Sequence, residues 1–197
     1  MIEYKKLKQR ILKVLDEQLP GELAYHGTHH TEDVLEVCDA YIERESVDEK
    51  EATLLRAGVL FHDFGFTRSF DNHEENGALL AERILPDFGF EKEDIQIVKG
   101  LIMSTKIPQQ PRTRLEKIIC DADLDYLGRD DYYPISNSLF EELKALGRIQ
   151  TEAQWKALQV RFLEAHKYHT DFAIENRQPE KEKRIEELKA LNGSQPA

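Results

Sequence analysis

Apolar residues recur at helical spacing along almost the whole chain, and runs of Val, Ile and Thr alternating with polar residues are scarce. That pattern points away from a sheet and predicts an all-α fold. Residues 2–19 place Leu7, Ile11, Val14, Leu15 and Leu19 on one stripe. Residues 20–30, PGELAYHGTHH, hold Pro20, Gly21 and Gly27 and read as an irregular connector. The next helix is expected from Thr31, with Thr31 as its N-cap and Glu32 and Asp33 in the first turn, where carboxylates suit the helix dipole. Further helices fit 48–63, 72–85, 91–104 and 112–124, with a loop over 64–71 and breaks at Pro108 and Pro111. Residues 128–134, GRDDYYP, read as a turn-rich loop, and 136–191 as two or three more helices with Pro179 as a break.

The chain has 197 residues. At about 150 residues per domain that is one domain, or one with an extension, and enough to bury a core without disulfides. The expected organisation is a single helical bundle over 1–135, helices over 136–192 packing on the same domain, and a frayed tail over 193–197. Lys and Arg number 27 against 38 Asp and Glu, a net charge of −11. That balance argues against a nucleic-acid partner and against docking on anionic lipid. No apolar run approaches the roughly 18 residues of a membrane span, and the N-terminus does not read as a secretory signal. Two cysteines, Cys38 and Cys120, do not make a disulfide framework, so a cytoplasmic protein is expected.

The seven histidines are unevenly spread. His26, His29 and His30 cluster in the connector, His62 adjoins Asp63, His73 opens a helix, and His166 and His169 fall on a late helix. The run AGVLF puts His62 and Asp63 at the buried end of a helix. A buried carboxylate is costly unless a positive charge compensates it, and a divalent cation does so directly. Two ligands hold a metal poorly. His30, at a helix start, and Asp121, behind the apolar Ile118, Ile119 and Cys120, are candidates to complete the set.

The strings YHGTHHTEDV, AGVLFHDFGF, NHEENGALLAERIL and IICDADLDYLGR, in that order, resemble the HD-domain metal-dependent phosphohydrolases, across about residues 20–130. The resemblance implies an all-helical domain with a divalent metal held by His30, His62, Asp63 and Asp121, Asp63 being the residue that bridges when two metals bind. The cyclic-nucleotide phosphodiesterases of that superfamily show a similar Tyr-His pattern, which implies that His26 protonates a leaving oxygen. His73 falls where many relatives hold a further histidine for a second metal or the phosphate. The two-metal members carry more histidines after that point, and GLIMSTKIPQQP has none. One firmly bound ion (Mn, Mg, Fe, Co, Ni or Zn) is therefore expected, with a second weak or absent.

Such an ion makes hydroxide available near neutral pH for in-line attack on phosphorus. Arg68, Lys106 and Arg129 are the candidate phosphate contacts. The expected activity is hydrolysis of a phosphate ester of a small molecule or nucleotide, as a phosphomonoesterase or phosphodiesterase. The alternative is a regulatory module that binds a nucleotide or phosphate without turnover. A homodimer is compatible with either. Asp123 and Asp125 face away from Asp121 on a helix and are expected as solvated carboxylates or caps. Cys120 is expected as a small buried hydrophobe, His29 as a solvated neighbour, and Tyr126, Tyr132 and Tyr133 as packing residues.

Overall fold

In the computed structural model, which describes residues 2–193, the chain is helical and no strand occurs among the described residues. It forms two compact units that part between Asp123 and Leu124, ahead of the boundary expected at residue 135. From residue 194 on, the tail expected over 193–197 lies outside the described residues.

The first unit is built around its third helix. α1 (Tyr4–Gln18) buries Leu7, Ile11 and Leu15, spaced four apart. α2 spans Thr28–Arg44. It starts three residues before the expected Thr31, with Gly27 in extended backbone as its N-cap, so His29 and His30 belong to the first helical turn. α3 (Glu49–His62) opens on Asp48, whose Oδ1 accepts the Lys50 and Glu51 backbone N–H groups at 2.9 and 3.0 Å. From Leu54 on, α3 is apolar nearly all round and buried, as befits a helix packed by α1, α2, α4 (His73–Ile84), α5 (Lys92–Ser104) and α6 (Arg114–Asp123). The loop expected over 64–71 begins with a 3-10 turn, Phe64–Thr67.

Two glycines let α4 press onto the end of α3. A Cβ at Gly65 would lie 1.9 Å from the His73 carbonyl oxygen, and one at Gly77 would lie 2.4 Å from that of Phe61. Only hydrogen fits at either place. Asn72, at φ 57°, turns the chain into α4 and delivers His73 beside Asp63.

The second unit holds a 3-10 turn, Asp125–Gly128, and four helices where two or three were expected: α7 (Tyr132–Ala145), α8 (Glu152–Ala165), α9 (Asp171–Asn176) and α10 (Gln178–Gly193). The loop expected to run to residue 134 ends early, because Pro134 sits in the first turn of α7, where its missing N–H has no intrahelical partner to lose. Phe140, Ile149 and Trp155 form a local core, with the Phe140 and Trp155 rings stacked at 5.8 Å. α8 stops at Ala165, so His166 and His169 lie past its end rather than on a helix as expected. The Lys181 ammonium donates to the His166 carbonyl oxygen at 2.5 Å. Among the described residues no helix is long and apolar enough to cross a membrane.

Candidate metal centre

Four side chains from three helix ends meet in the first unit. His30 comes from the first turn of α2, His62 and Asp63 from the C-terminus of α3, and Asp123 from the last residue of α6. His62 is oriented by its own helix. Its Nδ1 lies 2.7 Å from the Val59 carbonyl oxygen, which can only accept, so Nδ1 carries the proton and Nε2 points into the cluster. His62 Nε2 lies 3.4 Å from His30 Nε2. Asp63 Oδ2 is 3.1 Å from His62 Nε2 and 3.5 Å from His30 Nε2. Asp123 Oδ1 is 3.4 and 3.3 Å from the same two nitrogens.

The separations among His30, His62 and Asp123 fit donors sharing one cation, with Asp63 beside both imidazoles. Ligand atoms about 2.1 Å from a tetrahedrally held ion lie about 3.4 Å apart. Asp63 Oδ2 is a buried atom with no hydrogen-bond partner. Such an atom is costly unless a positive charge meets it, so the donor set fits a divalent cation. Imidazole mixed with carboxylate suits Zn, Mn, Fe, Co or Ni better than Ca.

Electrostatics within the set point the same way. Burial disfavours the charged His62, but the Asp63 and Asp123 carboxylates outweigh it and hold the imidazole well above its ordinary pKa. Burial raises the Asp123 carboxyl, yet hydrogen bonding to His30 and His62 brings it down to about 2. Asp63 is likewise held below the ordinary carboxylate range, burial being outweighed by His62, His26 and His30. With no metal bound, a proton on His62 offsets the two carboxylates.

Asp123, not Asp121, belongs to this cluster. Two residues along a helix turn about 200°, so one of the pair faces the histidines and the other cannot. Asp121 is fully buried elsewhere. The expectation of a solvated Asp123 and Asp125 is likewise corrected: the Asp123 side chain is 13% exposed and the Asp125 side chain 1%. The sequence carried only a partial signal for Asp123: Leu115, Ile119 and Asp123 recur every four residues, but Ile118 and Asp121 share a second buried face of the same helix.

His73 stands beside the cluster. Its Nε2 lies 3.6 Å from Asp63 Oδ1 and 3.4 Å from Glu74 Oε1. Asp63 therefore presents one oxygen to His30 and His62 and the other to His73. His26 is half-buried in the connector, its ring 6.0 Å from that of His30 and 6.2 Å from that of His73. Arg68 is exposed one residue past the 3-10 turn that follows Asp63. Lys106 forms an ion pair with Glu75, which holds the Glu75 carboxyl below its usual range. Arg129 lies in the second unit, where its Nε and Nη2 pair with Asp131 at 2.8 and 2.7 Å. That carboxylate takes the bidentate face expected for phosphate. Cys120 is buried as expected, its thiol donating to the Ser104 carbonyl oxygen at 3.1 Å. Tyr132 and Tyr133 pack beneath the Arg184 guanidinium, 5.1 and 4.8 Å from their ring centres.

With this geometry in place, comparison with known families is decisive. Residues 27–125 match the HD domain family and make up half of the chain, so the protein belongs to that family. The match begins at the N-cap of α2 and ends just past Asp123, and thus encloses all four clustered side chains. No curated protein and no solved structure was found to match the chain.

Proposed function

We propose that this protein is a metal-dependent phosphohydrolase acting on a phosphate ester of a small molecule or nucleotide, with one divalent ion held by His30, His62, Asp63 and Asp123. The observation that carries the reading is the convergence of His30 Nε2, His62 Nε2 and Asp123 Oδ1 at mutual distances of 3.3 to 3.4 Å, with Asp63 Oδ2 3.1 and 3.5 Å from the His62 and His30 nitrogens. When bound, a divalent ion supplies Lewis acidity and hydroxide near neutral pH.

The chain's own residues account for the remaining parts. The Val59 carbonyl fixes the His62 tautomer, so that a lone pair rather than an N–H is offered to a cation. The second oxygen of Asp63 orients His73. The His26 imidazolium N–H supplies a proton to the leaving oxygen, the role that makes a poor leaving group departable. Arg68 provides an exposed guanidinium for the phosphate, and Lys106 joins it by giving up Glu75. The net charge of −11 makes a local cation near an anionic substrate more necessary.

The test is a panel of p-nitrophenyl phosphate, bis-p-nitrophenyl phosphate, nucleoside monophosphates and cyclic nucleotides, each with Mn, Mg, Co, Ni or Zn. Turnover by wild type that vanishes in Asp63→Ala is the expected result, and the best substrate separates monoesterase from diesterase. Metal-loaded protein that turns over none of them overturns the assignment and favours a binding module.

A further inference from the structure

We propose that Phe66 is a positioning residue for the acid–base side of this site, its ring fixing His26 and His73 relative to each other and to Asp63. The proposal rests on the phosphohydrolase reading for its kinetic consequence, but not for its structural one. Phe66 lies in the 3-10 turn immediately after Asp63, is 3% exposed, and donates its backbone N–H to the Asp63 carbonyl oxygen at 3.0 Å. Its place is therefore tied to that of a metal-cluster residue. The His73 ring lies nearly parallel to it, with centres 4.0 Å apart and planes 15° apart. The His26 ring is 4.4 Å away and tilted by 35°. Phe70 packs against the same ring at 5.4 Å.

The two histidines share no backbone element. His73 is the first residue of α4 and His26 sits in the connector before α2, yet their ring centres are 6.2 Å apart. Phe66 touches both. A flat aromatic face restricts the torsion that swings a stacked imidazole, which an aliphatic side chain of similar volume does not. The turn itself has little freedom to drift, because Gly65 lies against the His73 backbone with no room for a Cβ.

The consequence is chemical. During hydrolysis a water oxygen bonds to phosphorus. The bond from phosphorus to the alcohol oxygen breaks with its electron pair on that oxygen, the His26 N–H delivers the proton, and the proton shed by the water restores the imidazolium. A misplaced ring slows the step in which a poor leaving group departs. It matters little for a p-nitrophenolate, which leaves without a proton.

The experiment compares wild type, Phe66→Leu and Phe66→Tyr in the full-length, zinc-loaded protein. Side-chain NMR should show NOEs between the His26 and His73 rings in wild type and Phe66→Tyr, and none in Phe66→Leu, with the metal content per chain unchanged in all three. In Phe66→Leu, kcat for a nucleoside 5′-monophosphate should fall about a hundredfold with KM within about twofold, while p-nitrophenyl phosphate turnover stays within about threefold. Phe66→Tyr should restore the lost rate. In a His26→Gln background, Phe66→Leu should cost nothing further on the poor leaving group. NOEs that survive in Phe66→Leu, equal losses on the two esters, or additive losses in the double variant overturn the proposal. If wild type turns over neither ester, the phosphohydrolase reading falls and the NOE comparison alone decides the positioning.

Discussion

Asp123 and Asp125 stand two residues apart in the chain, and both side chains are withdrawn from water, yet their charges are met by different means. Asp125, in the second unit, has a guanidinium of its own, since Arg177 Nε donates to its Oδ1 at 2.8 Å. Asp123, in the first unit, faces the imidazoles of His30 and His62, which carry a positive charge only when protonated. Asp63 faces the same two rings. The contrast separates a buried carboxylate neutralised within the chain from one whose surroundings suit a metal ion. A structural one is neutralised by a permanent cation from the chain itself. A ligand is surrounded by groups that become lone-pair donors as soon as a better cation arrives.

Mutations in the two regions should therefore fail in different ways. The largest effect is expected from Asp63→Ala, which removes the buried carboxylate facing both imidazoles and should abolish both metal binding and turnover; a variant that still holds metal one-to-one would remove Asp63 from the ligand set. Next comes Arg177→Met. It strands the 1%-exposed Asp125 side chain and should cost about 3 kcal/mol of stability in urea unfolding. Its metal content should match wild type, and a loss of metal there would erase the distinction between the regions. Chelation should affect only the first region. At a metal concentration 100 times Kd, removing the ion should cost wild type about 2.7 kcal/mol and Asp63→Ala nothing, as read from melting temperatures.

A smaller effect concerns pH. In chelator, the raised pKa of His62 contributes stability that is fully present below the ordinary imidazole value of 6.5 and is lost as pH rises through the folded value. The lowered Asp123 carboxyl contributes stability present above its ordinary 3.8 and lost as pH falls through about 2. Metal-free protein should therefore melt lower at pH 9 than at pH 5.5. Metal-loaded protein should lose this alkaline fall, because deprotonated ligands are what the cation binds. The same alkaline fall with and without metal would mean that the ion binds elsewhere.

Much of this contrast was legible from the residues. The apolar run before His62 and Asp63 marked a buried helix end, where an uncompensated carboxylate is costly, and the structure puts both there. The helical fold and the limits of α1, α3, α4 and α5 followed from periodicity. What escaped was phase. The α2 start was set at Thr31 because a hydroxyl makes a good N-cap, whereas Gly27 takes the cap without a side-chain bond and Thr28 starts the helix. In IICDADLDYLG, three carboxylates two apart leave the facing one ambiguous until the neighbouring helices fix the rotation of α6. The role of Phe66 was not legible, since the rings it touches come from segments about 40 and 7 residues away and only packing brings them together.

The most direct test of the central claim is a calorimetric zinc titration of wild type, Asp121→Asn and Asp123→Asn. The account predicts one ion per chain for wild type, affinity within about threefold of that for Asp121→Asn, and a loss of about a hundredfold or more for Asp123→Asn. Undiminished affinity in Asp123→Asn, with the loss falling on Asp121→Asn instead, would contradict it.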